Sequence, residues 1–545
     1  MRVLLAQLSP VLGDVDGNLS AALRAVSEAR ARGCRLVVFP ELLLSGYPPR
    51  DLLERHDLID ACAAAVERLA QASGSDLILV FGAPVQDGEL LRNAALVASG
   101  GAVVARVWKT LLPTYDVFDE ARYFTAGTSP APVEVEGLRL GVTICEDIWG
   151  ESALFGSRRY RVDPMDALTG CDLIVNLSAS PFHAAKSQVR RDLVARQAAR
   201  AGAPLIYCNM VGGNDELLFD GHSLVIGPDG ALYGEGASFA EDLLVVDLDH
   251  PSGAAPFERP FEEEVVEALT MGIRDYAARC GFKTAVLGLS GGIDSALVAA
   301  LAARALGPDA VYAVGMPGPF SSEGSITDAR DLAQNLGIHF DIVPVNGVYT
   351  AFLDALERPF AGRARDVAEE NLQARARGTV LMALSNKFGH LLLTTGNKSE
   401  MAVGYCTLYG DMNGGLAVIA DVFKTDVYRL CRWLNREREI IPVSTLTKPP
   451  SAELAPNQKD QDSLPPYDVL DAILRAYVEG MVDPADIIDA GHDPATVERV
   501  VRLVVKSEYK RWQAPPGLRV SPKAFGMGRR MPLAQRWHLT GRGVR

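Results

Sequence analysis

The segment at residues 285–298 limits the fold of this chain more than any other stretch. An apolar run at 285–289 leads into the sequence SGGIDS at 290–295, and an Ala/Leu tract of helical composition follows. Glycines permit positive φ angles and close approach of the backbone, and the start of a helix directs unpaired N–H groups towards the turn. The segment therefore predicts a phosphate-binding turn between a buried strand and a helix.

The SGGIDS turn is not a Walker A loop, because it lacks the Lys-Ser/Thr pair that follows the glycines there. It resembles the SGGxDS loop of the ATP pyrophosphatases, which bind the pyrophosphate released when ATP adenylates a substrate. Ser290 and Ser295 add hydroxyl donors, and Asp294 offers a carboxylate for a divalent cation. A plain turn with chance serines is the alternative interpretation.

Length and charge limit the class of protein. At 545 residues the chain is too long for one ordinary core, and we expect two domains. A formal net charge of −14 disfavours a broad polyanion-binding face, so no nucleic-acid partner is expected. The eight cysteines form no CxxC pair, which fits a reducing cytoplasm. No run of about 18 apolar residues occurs, so no membrane-spanning helix or membrane partner is expected.

In residues 1–249, short β-type runs alternate with helical tracts, which predicts a layered α/β domain. Predicted strands at 35–39, 103–108 and 139–144 lead to Glu41, Lys109 and Cys145 in turn, and a fourth at 172–176 leads to the polar segment 177–180. A thiol nucleophile needs a base for its proton and a cation near the developing oxyanion. The Glu, Lys and Cys side chains supply these three functions if the strand ends share one rim.

The same segments resemble the nitrilase, or carbon-nitrogen hydrolase, family. The matching motifs are FPE at 39–41 with SGY at 45–47, KTLLPTY at 109–115, VFDEARYF at 117–124 and CED at 145–147. The resemblance implies an αββα sandwich in which Glu41 is the general base, Lys109 stabilises the tetrahedral intermediate and Cys145 forms a thioester. An amide substrate would then release ammonia.

The glutamine-specific branch of that family implies further residues. Tyr115, Ser180 and Lys186 would hold the amino-acid end of glutamine, and Glu120 would be a second carboxylate beside the triad. Alternatively, Tyr115 is a core ring with a satisfied hydroxyl group and Lys186 a solvated helix charge.

A Pro/Gly-rich connector at 250–260 separates this half from residues 261–545. After it, strands predicted at 310–316, 339–345 and 391–393 alternate with helices predicted at 328–336 and 369–386. This alternation predicts a doubly wound parallel sheet with ligands at the carboxyl ends of its strands. Polar residues cluster at such positions, most densely in TTGNKSE at 394–400, where Lys and Glu suit a nucleotide with its metal ion.

Five segments of this second half resemble the NAD synthetase family: SGGIDS, NLQARARG at 371–378, TTGNKSE, GYCTLYGD at 404–411 and DVFKTDVY at 421–428. The resemblance implies that ATP adenylates the nicotinate carboxylate of deamido-NAD and that ammonia displaces AMP to give NAD. The ATP contacts would be Gly288, Leu289, Ser290, Gly291, Gly292, Ile293, Asp294, Ser295 and Thr395. The deamido-NAD contacts would be Asn371, Glu400 and Lys510, and Asp294 with Glu400 would bind Mg²⁺.

Taken together, the two resemblances imply a two-site enzyme in which glutamine hydrolysis at Cys145 supplies ammonia to an adenylate near Ser290. The NAD synthetase resemblance also implies a homo-oligomer. Another ATP pyrophosphatase, such as an asparagine or GMP synthetase or a tRNA-thiolating enzyme, is the nearest alternative. A non-catalytic sensor of nucleotide and glutamine is a second alternative. The intact set of Glu41, Lys109 and Cys145 argues against a sensor, which needs no nucleophile.

Overall fold

The computed structural model describes residues 1–150, 160–456 and 458–535. The chain forms two compact units, Met1–Arg259 and Pro260–Arg545. The division between them falls within segment 250–260. No helix in the described ranges is long and apolar enough to cross a membrane.

The described residues of the first unit form two six-stranded sheets, a two-stranded sheet and three α-helices. The order is β14-β1-β2-β3-β4-β5 in one large sheet and β13-β12-β9-β8-β7-β6 in the other, and β10 pairs with β11. The strands are β1 (Arg2–Gln7), β2 (Leu36–Val38), β3 (Ile78–Asp87), β4 (Leu90–Ser99), β5 (Ala102–Trp108), β6 (Val133–Val135), β7 (Leu138–Ile144), β8 (Leu173–Ser178), β9 (Leu205–Asn209), β10 (Val211–Asn214), β11 (Leu217–Asp220), β12 (Leu224–Ile226), β13 (Leu232–Glu235) and β14 (Asp242–Asp247), and the helices are α1 (Val15–Ala31), α2 (His56–Gln71) and α3 (Lys186–Ala201).

The two large sheets face each other, and helices cover their outer faces. Alternate residues of β1 show this arrangement, because side chains of a strand point to opposite faces. Leu5 packs in the core between the sheets with Val142 and Val175. Leu4 packs on the other face, in a core that includes residues of α1 and α2. The layers therefore run α, β, β, α, and the predicted sandwich is confirmed.

Two local features of this unit are the start of α1 and the pairing of β7 with β8. Helix α1 begins at Val15, because the Asp14 side chain accepts a hydrogen bond from the backbone N–H of Gly17. Strands β7 and β8 pair in parallel, with Ile144 opposite Leu177, so their carboxyl ends meet at one edge of the sheet.

The described residues of the second unit form one five-stranded sheet in the order β17-β16-β15-β18-β19, with every pair parallel. The strands are β15 (Ala285–Gly288), β16 (Val311–Gly315), β17 (His339–Ile342), β18 (Leu391–Thr394) and β19 (Leu416–Ala417). The helices are α4 (Phe261–Arg279), α5 (Ile293–Leu306), α6 (Glu323–Leu336), α7 (Asn346–Leu356), α8 (Val367–Phe388), α9 (Lys398–Val403), α10 (Lys424–Leu434), α11 (Val443–Thr447), α12 (Tyr467–Leu474), α13 (Pro484–Asp489), α14 (Pro494–Lys506) and α15 (Glu508–Arg511).

The strand order places a crevice at the centre of this sheet. From β15 the chain adds β16 and β17 on one side, and then returns to add β18 and β19 on the other. Parallel sheets bind ligands outside the carboxyl ends of the strands at such a reversal point. The predicted doubly wound sheet is confirmed, and the SGGIDS turn leaves β15 at the reversal point. A separate helical core that includes residues of α9, α12 and α14 supports the carboxyl-terminal part of the unit.

Candidate active sites

In the first unit, two carboxylates hold one buried ammonium group. Lys109, directly after β5, donates hydrogen bonds from Nζ to Oε1 of Glu41 and to Oε1 of Glu120, each 2.7 Å long. The side chains of Lys109 and Glu41 are fully buried. Burial opposes the charged amine, but the charges of Glu120 and Glu41 raise the pKa of Lys109 well above its usual range. Lys109 is therefore a fixed positive charge.

The two carboxylates differ in their other partners. Glu41 accepts a hydrogen bond of 2.8 Å from the Asn93 side-chain amide, and its second oxygen accepts one of 3.0 Å from the backbone N–H of Ala179. Glu120 accepts one of 2.8 Å from the Tyr47 hydroxyl group. Burial raises the pKa of Glu120 to about 7, with Lys109 opposing the shift and Glu41 adding to it. Glu120 thus lies beside the Glu41–Lys109 pair, where the sequence predicted a second carboxylate.

Cys145 begins the turn that follows β7, and its backbone is held at a φ of +45°. Positive φ is costly for a side chain with a Cβ, and such strain concentrates at functional turns. The side chain is buried. Burial, and next the charge of Glu41, raise the pKa of the thiol above its usual range, although Lys109 opposes them. This shift favours the neutral thiol over the thiolate.

Asp147 joins the turn of Cys145 to the segment that follows Lys109. One of its carboxylate oxygens accepts hydrogen bonds from the backbone N–H of Thr110 at 3.0 Å and of Leu111 at 2.8 Å. The other accepts one of 3.0 Å from the backbone N–H of Ile144. Burial raises the pKa of Asp147 to about 7, against these hydrogen bonds. The sequence showed Asp147 within a motif but gave no sign of this role.

The three residues predicted to hold glutamine lie on separate segments. The Tyr115 hydroxyl group donates to both carboxylate oxygens of Glu146, at 2.8 and 3.0 Å. Ser180 is buried, and its backbone N–H donates to the side chain of Asn209. Lys186 begins α3 and donates from Nζ to the backbone O of Pro181 at 2.6 Å.

Sequence reasoning missed Glu146, which follows Cys145 directly. Besides Tyr115, it accepts a hydrogen bond of 2.9 Å from the Tyr160 hydroxyl group. Its position in the CED motif was the one available signal. Two phenols therefore converge on a carboxylate beside Cys145.

In the second unit, the predicted phosphate turn has a geometry that requires glycine. Gly291 has a φ of +76°, and a Cβ there would lie 2.2 Å from the backbone O of Ser325. Gly292 is the N-cap of α5, and its N–H donates to the Ser290 hydroxyl group at 3.2 Å. The hydroxyl groups of Ser290 and Ser295 lie 3.2 Å apart. The turn therefore presents two hydroxyl groups at the start of a helix.

A cavity of about 430 Å³ opens over this turn. It is lined by every predicted ATP contact except Gly291, including Thr395 after β18. Asn371, Glu400 and Lys510, predicted to bind deamido-NAD, line the same cavity. The structure thus brings together segments that lie more than 200 residues apart in the sequence.

Two acidic side chains of the cavity share one lysine. Lys424 donates from Nζ to Oδ2 of Asp294 and, at 3.4 Å, to Oε1 of Glu400. Asn397 donates to the other oxygen of Asp294 at 2.9 Å. Burial raises the pKa of Glu400 to about 8, with Lys424 opposing the shift and Asp294 adding to it. The sequence marked Lys424 only as part of a motif, and its contact with Asp294 is a feature of the fold.

Asp294 and Glu400 are suited to a hard divalent cation. Their carboxylate oxygens already converge on one positive charge, and Mg²⁺ is usually held by one or two carboxylates together with water and substrate phosphates. In the described residues, no group of three or more His, Cys, Asp or Glu side chains is arranged to hold a metal ion by itself. The donor set therefore fits an ion that a nucleotide helps to bind.

The other two predicted contacts for deamido-NAD are held by neighbouring loops. Asn371 accepts a hydrogen bond of 2.7 Å from the Thr407 hydroxyl group. Lys510 donates from Nζ to the backbone O atoms of Gly404 and Cys406, at 2.8 and 2.6 Å. Both side chains are therefore positioned by segment 404–407.

Two family models match the chain, one in each unit. Residues 2–255 match the carbon-nitrogen hydrolase model. Residues 265–514 match the NAD synthase model. These two matches agree with the resemblances to the carbon-nitrogen hydrolase and NAD synthetase families that the sequence motifs indicated.

Curated relatives match along the whole length. A glutamine-dependent NAD(+) synthetase of Synechocystis is 48% identical over 99% of this chain and 99% of its own length. The corresponding protein of Thermotoga maritima is 45% identical over 98% of this chain and 99% of its own. A solved structure of glutamine-dependent NAD+ synthetase from Acinetobacter baumannii, in complex with ADP, is 40% identical with a TM-score of 0.78, and the match covers 98% of this chain and 99% of that one.

Proposed function

Because the chain belongs to the family of glutamine-dependent NAD(+) synthetases, we propose that it converts deamido-NAD to NAD, with ATP and with ammonia taken from glutamine. One observation carries this proposal. A single cavity is lined both by the phosphate turn and by the three residues assigned to deamido-NAD. An adenylating reaction needs both substrates in one place, because the carboxylate of one attacks the α-phosphate of the other.

Glutamine hydrolysis is assigned to the first unit. The Cys145 sulfur attacks the side-chain amide carbon of glutamine, and Glu41 accepts the thiol proton and passes it to the departing nitrogen as ammonia leaves. Water then cleaves the thioester to give glutamate and the free thiol. The raised pKa of Cys145 favours the neutral thiol and so supports a step in which proton transfer to Glu41 accompanies attack.

Lys109 would act on the oxygen of the tetrahedral intermediate. A buried ammonium group is already in place before charge develops there, so little rearrangement is needed during the reaction. Glu41 and Glu120 fix its position through the two hydrogen bonds of 2.7 Å. Glu120 is thus a positioning residue for Lys109.

The second unit is assigned the ATP-dependent steps. The nicotinate carboxylate of deamido-NAD attacks the α-phosphorus of ATP, and pyrophosphate leaves. Ammonia then attacks the carbonyl carbon of the adenylate, loses a proton, and AMP leaves with the C–O electron pair. The Ser290 turn would hold the pyrophosphate through its N–H and hydroxyl groups. The ADP bound to the related protein of Acinetobacter baumannii supports an adenine nucleotide as a ligand.

Asp294 and Glu400 would hold Mg²⁺, which offsets phosphate charge when bound. Lys424 then keeps a positive charge beside these two carboxylates. Because the ammonium ion is not a nucleophile, we also propose that ammonia reaches the second site without release into bulk water.

A product assay tests the proposal. The chain is supplied with ATP, Mg²⁺ and deamido-NAD, together with either glutamine or an ammonium salt, and NAD, AMP and pyrophosphate are measured. All three should form in equal amounts from either nitrogen source. If neither source yields NAD, the proposed function is wrong. ATP cleavage with aspartate or XMP in place of deamido-NAD would favour an asparagine or GMP synthetase.

A further inference from the structure

The cavity of the second unit contains a cation that the proposed reaction has not yet used. Four lysine and arginine side chains are found among the described residues that line it: Arg377, Lys424, Lys448 and Lys510. Lys424 pairs with Asp294 and Glu400, and Lys448 pairs with Asp328 at 2.8 Å. Lys510, already assigned to deamido-NAD, donates to backbone carbonyl groups.

Among the described residues, Arg377 has no carboxylate partner. Its Nε donates to the backbone O of Met316 at 3.0 Å, and no carboxylate of the described residues lies within ion-pair distance of its guanidinium. Burial lowers the pKa of Arg377, and the charge of Glu453, which acts in the opposite direction, is too weak to cancel this effect. The oxygens of Glu453 instead accept hydrogen bonds from Ser322 and Ser325. A partly buried guanidinium stays charged, and without an anion it is costly to keep.

The fold places the guanidinium of Arg377 at the edge of the sheet that carries the phosphate turn. Met316 follows β16, and β16 pairs in parallel with β15, with Val314 opposite Gly288. The bond from Arg377 to Met316 therefore places the guanidinium at the same edge of the sheet as Ser290. Gly318 leaves room for it, because a Cβ at Gly318 would lie 2.7 Å from Nη2 of Arg377.

We propose that Arg377 is a substrate-binding residue whose guanidinium binds a phosphate group of a nucleotide in this cavity. The planar fork of arginine matches two phosphate oxygens at once, and the missing counter-ion is then supplied by the substrate. The proposal rests on the proposed function, which brings two phosphate donors, ATP and deamido-NAD, to the cavity. The experiment distinguishes between these two sources.

The test uses the full-length chain with Arg377→Met, and Arg304→Met as the matched control. Arg304, on α5, makes an exposed ion pair with Glu267 of α4 and does not line the cavity. In ammonia-driven NAD synthesis, Arg377→Met should raise the KM of one nucleotide about tenfold or more, the scale of a lost charge-assisted hydrogen bond. Arg304→Met should leave both KM values unchanged. A higher KM for ATP alone assigns the phosphate to ATP, and a higher KM for deamido-NAD alone assigns it to deamido-NAD.

A second variant, Gly318→Ala, keeps Arg377 but should shift the position of its guanidinium. Gly318→Ala would meet the end of a flexible side chain rather than backbone, so the fold should tolerate it. It should raise the KM of the same nucleotide. If Arg377→Met does not fold, Gly318→Ala decides the matter. Wild-type KM values for both nucleotides in a folded variant, or a fall in kcat alone, would overturn the proposal.

Calorimetric titration separates this inference from the reaction itself. ATP, deamido-NAD and inorganic pyrophosphate are titrated singly into the wild-type chain and both variants, without turnover. Weaker binding of at least one of the three supports the assignment of Arg377 even if the chain makes no NAD. Equal binding of all three by folded variants refutes it, whatever the outcome of the product assay.

Discussion

The Asp147 carboxylate accepts a hydrogen bond of 2.8 Å from the backbone N–H of Leu111, 36 residues earlier in the chain. Through this bond and its partners at Thr110 and Ile144, one buried side chain sets the spacing between the turn of Cys145 and the segment after Lys109.

Asp147→Asn should weaken this connection. The amide has one acceptor oxygen instead of two, so at least one backbone N–H loses its partner, at a cost of about 1–3 kcal/mol. We expect a lower melting temperature and a fall of at least about tenfold in glutaminase kcat, with ammonia-driven synthesis retained. Asp172→Asn is the control, since Asp172 accepts one exposed bond from the backbone N–H of Arg139. Normal glutaminase activity in Asp147→Asn would show that the spacing does not depend on the carboxylate.

Cys145→Ala should separate the two nitrogen sources. Without the sulfur no thioester can form, so NAD synthesis from glutamine should fall below detection. Synthesis from ammonium salts should continue at a rate close to that of the wild type. Both rates are read from the same NAD assay. Loss of the ammonia-driven rate in a folded Cys145→Ala variant would contradict the proposed division between the sites.

Glu120→Gln should change how stability depends on pH. Burial, opposed by Lys109, raises the pKa of Glu120 from 4.5 to about 7, so the folded chain keeps a proton that the unfolded chain has lost. The contribution of Glu120 to the free energy of unfolding of the wild type should therefore decrease as pH rises from about 4.5 to 7. The melting temperature of the variant relative to wild type should increase over that window. A constant difference between them from pH 5 to 8 would mean that Glu120 does not titrate there.

Glu400→Gln should impair the ATP-dependent steps alone. It removes one of the two carboxyl groups that face Lys424, and with it one proposed ligand of Mg²⁺. We expect ammonia-driven synthesis to need a higher Mg²⁺ concentration for half-maximal rate, while glutamine hydrolysis is unchanged. An identical Mg²⁺ titration for variant and wild type would remove Glu400 from the metal site.

Gly291→Ala tests the phosphate turn. The added Cβ would meet the backbone O of Ser325 at 2.2 Å, so the turn must move. Synthesis should fall by at least about tenfold, with normal glutaminase activity. Gly307→Ala is the matched control, because Gly307 also has a positive φ but a Cβ there would meet open space. Equal synthesis rates in the two variants would show that the clash does not matter for function.

The sequence could predict what short-range pattern encodes. The apolar runs before Glu41, Lys109 and Cys145 predicted strands, and the structure has β2, β5 and β7 at these places. The SGGIDS sequence likewise predicted a glycine-containing turn at the start of a helix, because both features are encoded by neighbouring residues.

The remaining features depend on pairings that local pattern does not record. Asp147 binds backbone N–H groups, which every residue except proline carries, so its partners leave no trace in the sequence. Lys424 meets Asp294 across 130 residues, and Arg377 is distinguished by having no carboxylate partner in the part of the chain that the structure describes. The roles assigned to individual site residues stay predictions until the variants are measured.

Each proposed catalytic site is built from one continuous half of the chain. Glu41, Lys109 and Cys145 all precede Arg259, and the lining of the nucleotide cavity, from Gly288 to Lys510, all follows it. A gene with this layout can be cut or recombined at one point without dividing either set of reactive groups. Evolution could thus replace the source of nitrogen, or dispense with it, while leaving the NAD-forming machinery intact.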